Sequence, residues 1–520
     1  MWHKLYTWQI LFIIVLVVNR RLLNMLLILC IIFISVYYLY SFRHFRYFSK
    51  KCIKHDRPLP IFGNHFDVIF SKQTEAEMLN YLYKKYPDEK LVGYYRGATP
   101  IVVVRDLDII KSILTVNFLE FTDRGTQSDT KIDPLMRNIF TEVGDTWKVL
   151  RHHLSPAFSG SKLKNMFPLI ADCTHKLVSV ADDLALKGQE FDACNLSARF
   201  TIDVIGACGF GIDMKSMNNE HSLFLNLRDN LFVKSTMRIL ISGLYDLFPY
   251  NAIKKLRFKR SQIIQQTIKK IFDSVSRQRV NDTSAHDFMN LLLELGKEGK
   301  VSGTAMEQDK NGENKIIEVE FDEHRMLAQL YIFFVAGFET SSTVMAFALH
   351  QLAYNPEIQR EVQEEVDKVL ANNNNNLNYQ SVSEMVLLEM VVKEALRLFP
   401  PGGAILRICT KDFIIPEVNI KIEAGTTIAI PVHAIQMDPM FFKNPEEFNP
   451  KRFSKEASDN RNKFVFLPYG EGPRKCIGRR LMGYNIKFKF KFRNVYFFRS
   501  SIGKYDSNGW CSSNPPQVHS

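Results

Sequence analysis

A long, largely apolar run from Phe321 to Tyr354 most constrains what this chain can fold into. Its charged residues cluster near the start, and Glu339 is the exception. The run ends at Asn355-Pro356, where the fixed φ of proline stops one helix and suits the start of the next. A helix that is apolar on most sides has to be buried. Because 520 residues can build a large core, we expect this helix to pass through the middle of a large globule.

Shorter patterns surround this central helix. Helical patterns dominate from about Asp106 to Leu398, whereas Leu91–Val104 is rich in β-branched and aromatic residues and predicts strands. The stretch Phe413–Val432 predicts short strands and turns, and the sequence contains no internal repeat. We therefore predict a mainly α domain with a smaller β part, which is an α+β fold.

Two apolar runs precede the globular part. Leu5–Val18 is too short to span a bilayer comfortably, whereas Leu22–Tyr40 has about the length that a transmembrane helix needs. Lysine and arginine follow the second run, and by the positive-inside rule this flank lies in the cytosol. Two prolines then stiffen the chain at Arg57–Gly63. The sequence predicts a membrane anchor at residues 1–40 and a basic, proline-containing hinge at residues 41–63, with the remainder in the cytosol.

The composition narrows the classes of partner. The net charge is +12, but the sequence has neither zinc-finger spacing nor a basic region with heptads, so we expect no nucleic acid. A membrane surface and an acidic protein partner fit the charge better. The eight cysteines are scattered, with no CxxC pair and no disulfide framework, which is typical of a reducing compartment.

The sharpest chemical signal is the segment Tyr469–Gly478, in which three glycines and a proline surround Cys476. Glycine lets a backbone approach a flat ligand closely, and amide N–H groups turned towards a sulfur stabilise a thiolate. Arg474 adds a cation that suits a carboxylate. The alternative is a buried cysteine in a glycine-rich turn. A zinc site is disfavoured, because no second cysteine or histidine lies at ligand spacing.

This segment resembles the haem-binding loop of the cytochrome P-450 superfamily, whose usual form is Phe-Gly-x-Gly-x-Arg-x-Cys-x-Gly. The chain matches every fixed position except the first, where Tyr469 replaces phenylalanine. A hydroxyl at this position would lie near the sulfur and could shift the potential of the iron. The resemblance implies that Cys476 is the proximal ligand of the iron of haem b, and thiolate ligation of this kind favours O–O cleavage.

Two further motifs resemble a structural network of the same family. Glu394-Ala395-Leu396-Arg397 matches Glu-x-x-Arg and places both charges on one helical face. The segment Pro450–Phe453 resembles Pro-x-Arg-Phe and contributes Arg452. Pairs such as Glu394 and Arg397 also occur by chance on solvated helices, so the companion motifs carry the interpretation. The resemblance implies that a Glu394–Arg397–Arg452 network fixes the chain leading to the cysteine loop.

Four side chains are candidates for holding the haem propionates. Trp147 and Arg151 match the family's Trp-x-x-x-Arg, and their i, i+4 spacing puts two donors on one helical face. Arg407 lies in a segment that resembles another propionate-binding stretch, and Arg474 belongs to the cysteine loop. By resemblance, these four residues bind the cofactor. Each arginine alone would more simply be a surface cation.

The motif Ala336–Ser341 lies inside the long apolar run. An acid at Glu339 is costly there unless it is solvated or paired, which makes it a functional candidate. Gly337 weakens the helix, and Thr340 can bond back to a carbonyl one turn earlier, so we expect a local bulge that admits water. The resemblance implies that Thr340 positions protons for oxygen activation and that Glu339 relays them.

Taken together, these motifs imply a haem-dependent monooxygenase that inserts one oxygen atom of O2 into small apolar substrates, such as xenobiotics, insecticides, fatty acids or steroid-like hormones. The resemblance is strongest to the animal microsomal clan with its insect detoxifying enzymes. It implies electrons from an NADPH-dependent flavoprotein reductase, with a small electron-transfer haem protein as a further candidate partner. It also implies the endoplasmic reticulum membrane, with a catalytic domain at residues 64–487 facing the cytosol.

Two alternatives stay open. One is a haem-thiolate isomerase or dehydratase that works on peroxides, which Glu339 and Thr340 disfavour because that chemistry needs no proton relay. The other is a catalytically impaired haem-binding membrane protein. This alternative follows from the atypical tail at residues 488–520, where the family's apolar helix, strands and hairpin are replaced by a Ser/Asn/Gly-rich sequence.

Overall fold

The computed structural model describes most of the chain. It covers residues 24–125 (apart from 26, 30 and 33), 133–188, 192–219, 224–228 (apart from 226), 262–279, 287–308, 311–374 and 378–489. The first apolar run, Leu5–Val18, and residues 490–520 of the atypical tail therefore lie outside the described residues.

Helices dominate the described part, as the sequence predicted. The numbered helices are α1 (Glu75–Lys85), α2 (Leu107–Lys111), α3 (Gly144–Leu154), α4 (Gly160–Leu186), α5 (Ala193–Ile205), α6 (Gln262–Arg279), α7 (Phe288–Glu298), α8 (Glu323–Tyr354), α9 (Pro356–Asn372), α10 (Tyr379–Glu384), α11 (Val386–Leu398), α12 (Val432–Gln436), α13 (Lys455–Asp459) and α14 (Arg479–Lys489). Single α-turns lie at Tyr47–Lys50 and Phe66–Ile69, and π-type turns extend α2 and α5 at Ser112–Val116 and Gly206–Phe210. Short 3-10 turns lie at Phe118–Phe121, Pro134–Met136, Ser155–Phe158, Pro450–Phe453 and Lys463–Val465.

The β part consists of one mixed sheet and two hairpins. The strands are β1 (Lys54–His55), β2 (Leu91–Arg96), β3 (Thr99–Val104), β4 (Lys300–Gln308), β5 (Asn314–Glu320), β6 (Ile405–Ile408), β7 (Phe413–Ile415), β8 (Ile420–Ile422) and β9 (Thr427–Ile430). The main sheet has the order β1-β2-β3-β9-β6, whereas β4 pairs with β5 and β7 with β8. The β3–β9 pair is parallel and the β9–β6 pair antiparallel, which places Ile428 between Val102 and Arg407. The predicted strands in Leu91–Val104 and Phe413–Val432 are thus confirmed.

Helix α8 confirms the predicted central helix. Asp322 caps its N-terminus by accepting a hydrogen bond from the Arg325 amide at 2.8 Å, and Pro356 starts α9 directly after it. Helix α5 packs alongside α8 at Gly337, where a β-carbon would come within 2.7 Å of the Ile205 side chain. The missing side chain at Gly337 therefore sets how closely the two helices approach.

Two helices among the described residues are long and apolar enough to cross a membrane. Within α8, 61% of the most apolar window is buried inside the protein, so α8 is a core helix. In the N-terminal apolar helix, Leu27–Lys50, only 12% of that window is buried. Its exposed leucine and isoleucine side chains are compatible with the membrane anchor that the sequence predicts.

The C-terminal end of this apolar helix packs onto the sheet. Phe48 lies in the segment predicted as a hinge, and it is fully buried. Its ring contacts Tyr95 with 4.8 Å between ring centroids, and its amide donates to the Tyr95 hydroxyl at 3.2 Å. The ring also covers Gly93, where a β-carbon would overlap it. Phe48 thereby ties the end of the apolar helix to β2.

Most of the cysteines among the described residues do not form disulfide bonds. Cys52, Cys173, Cys208, Cys409 and Cys476 are free thiols. Cys194 is disulfide-bonded, which the scattered spacing of cysteines in the sequence did not predict.

We expect Phe48→Ala to destabilise the domain by about 3–5 kcal/mol, because it removes a fully buried ring and leaves a cavity over Gly93. The measurement is the midpoint of urea unfolding of the full chain in detergent. Leu186→Ala is the control, since Leu186 is 89% exposed and should shift the free energy of unfolding by no more than about 0.5 kcal/mol. Equal midpoints for the two variants would contradict the packing role of Phe48.

Candidate functional site

The cysteine loop is shaped by two glycines in the left-handed region. Gly470 has φ 68° and Gly472 has φ 77°, conformations that residues with side chains rarely adopt. A β-carbon on Gly472 would also overlap the carbonyl oxygen of Leu114. The Cys476 amide donates to the Tyr469 carbonyl at 3.0 Å and closes the loop. Backbone geometry therefore favours glycine at positions 470 and 472 of the motif.

The Cys476 thiol faces open space although protein surrounds it on its other sides. Its side chain is exposed, yet desolvation by the neighbouring protein raises its pKa. A hydrogen bond from the Gly478 amide and the charges of Arg124, Arg151 and Arg479 act in the opposite direction and favour the thiolate. A metal cation on the sulfur would shift this balance towards the thiolate, because coordination deprotonates a thiol.

The Arg474 guanidinium is buried, and only some of its N–H donors have a hydrogen-bond partner. Its Nε donates to the Thr122 carbonyl at 2.9 Å and its Nη2 to the Glu142 carbonyl at 2.8 Å. Its guanidinium lies 4.0 Å from the centroid of the Trp147 ring. Nη1 is buried and has no hydrogen-bond partner among the described residues. An unpaired buried donor is costly, so this nitrogen is suited to an acceptor from a ligand.

Arg407 shows the same feature. It is buried on β6, and its Nη1 donates to the Leu406 carbonyl at 2.8 Å. Its Nε is buried without a hydrogen-bond partner in the part of the chain that the structure describes. Two buried guanidinium groups with unused donors therefore lie near each other, since the charge of Arg407 acts on Arg474 in the cysteine loop.

Two more arginines hold the backbone of the cysteine loop. Arg151, on α3, donates to the Lys475 carbonyl at 2.7 Å. Arg124 donates to the Arg474 carbonyl at 2.8 Å and stacks over Phe140 at 4.4 Å. The carbonyls that they engage directly precede Cys476 and Lys475 in the chain. Arg151 was predicted to bind the cofactor, and its guanidinium lies against the backbone of the loop that carries Cys476.

The four arginines repel one another. Desolvation and then neighbouring guanidinium charges lower the pKa of Arg474 to about 8 and that of Arg407 to about 9. Desolvation also lowers the pKa of Arg124 to about 10, and Arg151 adds to this effect. Asp123 is the one carboxylate in ion-pair range of Arg474 within the described chain, at 3.7 Å. This concentration of buried positive charge fits a ligand with two carboxylates, and the two propionates of haem meet that requirement.

Arg124 is the functional candidate that the sequence did not reveal. It matches no motif, and its contact with the cysteine loop joins residues 350 positions apart in the chain. No local spacing signals such a contact. In the folded protein, its hydrogen bond to the cysteine loop and the effect of its charge on Cys476 identify it.

The second part of the site lies on α8. Ala336 is exposed and Gly337, Glu339 and Thr340 are partly exposed, although the rest of this helix is largely buried. The Thr340 hydroxyl donates to the Ala336 carbonyl at 2.7 Å, as expected. The helix nevertheless continues as an uninterrupted α-helix from Glu323 to Tyr354, so the expected bulge is not present. Polar groups thus line an accessible surface in the middle of a buried helix.

Desolvation raises the pKa of Glu339, while the charge of Arg228 opposes this shift. A carboxyl group with a raised pKa exchanges protons more readily near neutral pH than an ordinary glutamate does. Ile477, next to Cys476, packs against the same apolar cluster to which Phe338, next to Glu339, belongs. The predicted thiolate and the predicted proton-handling residues are therefore both adjacent in sequence to residues of one apolar cluster.

The predicted ion-pair network is assembled away from this surface. Glu394 and Arg397 are fully buried and bonded to each other at 2.7 and 2.9 Å. Arg397 also donates to the Gln436 carbonyl at 3.0 Å. Arg452 lies 3.3 Å from the Glu394 carboxylate, and the Asn449 amide donates to the same carboxylate at 3.0 Å. These contacts fix the segment before the cysteine loop onto α11.

Comparison with known proteins identifies the same family from a family model and from individual relatives. The family model described as Cytochrome P-450 matches residues 54–488. A Drosophila melanogaster protein named as a probable cytochrome P-450 is 34% identical over 489 residues, covering 92% of this chain and 94% of the relative. Cytochrome P-450 6B1 of Papilio polyxenes is 32% identical and covers 88% and 89%. Cytochrome P-450 6B2 of Helicoverpa armigera is 32% identical and covers 86% and 87%.

We expect Glu394→Gln to cost about 3–5 kcal/mol, because it leaves the buried Arg397 guanidinium without its counter-charge. The measurement is again the midpoint of urea unfolding. Glu361→Gln is the matched control, since Glu361 pairs with Lys451 on the surface at 3.6 Å and should change the free energy of unfolding by at most about 0.5–1 kcal/mol. A shift for Glu394→Gln no larger than that of the control would show that the network does not stabilise the fold.

Proposed function

Because the chain belongs to the cytochrome P-450 family, and is therefore a haem monooxygenase by class, we propose that Cys476 ligates the iron of haem b and that small apolar molecules are its substrates. The observation that carries the proposal is the thiol of Cys476, which is exposed and lies close to the positive charges of Arg124, Arg151 and Arg479. When bound, the haem supplies the chemistry that activates dioxygen and transfers one of its atoms to the substrate.

The residues of the chain position that cofactor. Arg474 and Arg407 each have a buried donor to offer a propionate. Trp147 packs against Arg474 and limits the positions of its guanidinium. Arg124 and Arg151 hold the two carbonyls before Cys476 and so fix the direction of its sulfur. The Gly478 amide stabilises negative charge on that sulfur.

Glu339 and Thr340 handle protons in this proposal. The reaction consumes protons as one oxygen atom leaves as water, and those protons must cross an apolar core. The Thr340 hydroxyl is held by the Ala336 carbonyl, which orients its lone pairs towards the accessible face of α8. The raised pKa of Glu339 suits a group that takes protons from solvent and passes them on. The alternative function, a haem-thiolate isomerase or dehydratase, needs no proton relay and would therefore not require Glu339 and Thr340.

Membership of the same family supports a proposal for the electron donor and for the localisation of the protein. We propose an NADPH-dependent flavoprotein reductase as the electron donor, with a small electron-transfer haem protein as a second one. The net charge of +12 favours encounters with acidic partners. The N-terminal apolar helix Leu27–Lys50, followed by basic residues, supports an anchor in the endoplasmic reticulum membrane with the catalytic domain in the cytosol. Xenobiotics, insecticides, fatty acids and steroid-like hormones are the substrate classes to screen.

We expect Cys476→Ala to abolish the red-shifted absorption band that the reduced protein shows with carbon monoxide, because that band requires a thiolate on the iron. The measurement is a reduced-minus-oxidised difference spectrum in carbon monoxide. Cys52→Ala is the control, since Cys52 is also an exposed free thiol but lies outside the site, and it should keep the band. Persistence of the band in Cys476→Ala would assign the ligand to another residue.

We expect Thr340→Ala to bind haem normally but to divert reducing equivalents to hydrogen peroxide, because the proton supply loses its oriented hydroxyl. In a reconstituted system with reductase and NADPH, product per NADPH should fall by about tenfold or more. Ser342→Ala is the control, since this buried hydroxyl bonds back to the Glu339 carbonyl on the same helix. If Thr340→Ala and the control couple equally well, Thr340 has no part in proton delivery.

A further inference from the structure

A buried ion pair beside the arginine cluster belongs to none of the motifs described above. The Arg325 side chain donates through Nη1 to the Glu142 carboxylate at 2.8 Å. Only 8% of the Arg325 side chain and 11% of the Glu142 side chain are exposed. A buried pair of this kind is weak support for stability by itself, because desolvation offsets much of the attraction. The pair lies next to Arg474, however, and so is placed to influence the proposed propionate site.

Glu142 is directly connected to the proposed propionate site. Its carbonyl accepts the hydrogen bond from Arg474 Nη2 at 2.8 Å. Burial raises the pKa of the Glu142 carboxyl group, while the charges of Arg325, Arg137 and Arg474 act in the opposite direction and favour its ionised form. The same residue therefore orients Arg474 through its backbone and opposes its positive charge through its side chain.

Arg325 connects this residue to the central helix. It lies in the first turn of α8, and its amide bonds to the capping carboxylate of Asp322. One turn later, Gln329 accepts a hydrogen bond from the Ile139 amide at 2.9 Å and donates to the Arg137 carbonyl at 2.9 Å. The segment that carries Glu142 is thus held on α8 at two successive turns. Movement of this segment would move the carboxylate relative to Arg474.

The Glu142–Arg325 pair affects the balance of charge around the arginine cluster. Arg124, Arg151, Arg407 and Arg474 carry more positive charge than Asp123 can neutralise. Glu142 is a second carboxylate close to this cluster, and it is screened by little solvent. At such burial, a unit charge acts over longer distances than it does at the surface. Removal of either charge would therefore change the electrostatic potential at the cofactor.

We propose that Glu142 is a positioning residue that counterbalances the arginine cluster around the haem, and that Arg325 fixes its carboxylate on α8. This inference rests on the proposed haem site. Reduction of the iron adds an electron, which a nearby negative charge disfavours. The neutral variant Glu142→Gln should therefore raise the reduction potential. The variant Arg325→Gln, which removes a positive charge from the same pair, should lower it.

The opposite signs separate this electrostatic role from a merely structural one. We would measure the potential of the purified, haem-loaded full chain by spectroelectrochemical titration, together with the haem-to-protein ratio. If the pair only held the fold together, both variants would loosen the site and shift the potential in the same direction. Shifts of opposite sign support the proposal, whereas shifts of equal sign, or none in either variant, overturn it.

Two further variants control the experiment. Glu318→Gln removes one charge from the exposed pair between Lys300 and Glu318 at 3.1 Å, and it should leave the potential unchanged. If a single variant loses its haem, the double variant Glu142→Gln/Arg325→Gln restores the local charge balance and leaves no unpaired buried charge. It should return the potential to the parental value, and a displaced potential there overturns the proposal.

Failure of the proposed function would give a different result. If the parent chain did not bind haem, or bound it without the red-shifted carbon-monoxide band, the haem-thiolate assignment would be wrong. If the parent showed that band and the two single variants left its potential unmoved, only the role of Glu142 and Arg325 would be lost.

Discussion

The crowding of four guanidinium groups at the cysteine loop, two of them buried, is the constraint on which the rest of the structure depends. Arg124, Arg151, Arg407 and Arg474 come from different parts of the chain and repel one another where they meet. Water cannot screen them fully, so the fold has to hold them by hydrogen bonds to carbonyls of the cysteine loop and its neighbours. A dianionic ligand would complete this arrangement, which links stability of the site to occupancy by the cofactor.

The central helix supplies the rigid reference for this arrangement. Its N-terminal turns hold the segment of Glu142 through Arg325 and Gln329, and its middle carries Glu339 and Thr340. Gly337 allows α5 to pack closely against the same stretch. One helix therefore orients both the residues near the propionates and those that handle protons. A smaller fold could not bury such a helix on most sides and still leave one face accessible.

The sequence predicted those parts of the site that depend on local spacing. Glu394 and Arg397 are three positions apart on one helix, and they form a fully buried pair. Asn355-Pro356 predicted the end of α8, and the glycines around Cys476 predicted the tight loop. Spacing could not reveal Arg124 or Glu142, because their contacts with Arg474 join residues 350 and 332 positions apart. The prediction of a bulge at Gly337 was wrong, because α8 packs closely against α5 there and remains a regular α-helix.

Tyr469 shows why the surroundings of a motif matter as much as the motif. Its backbone carbonyl accepts the Cys476 amide, a role that any residue can fill, so the substitution of tyrosine for phenylalanine leaves the loop intact. Its side chain is partly buried, and desolvation, with the nearby Cys476 charge as a second cause, raises its pKa. The ring therefore stays neutral at physiological pH and adds a dipole instead of a charge near the sulfur. Charge at the site is then set by the four arginines and by Asp123 and Glu142, and of these only Arg474 lies within the cysteine motif.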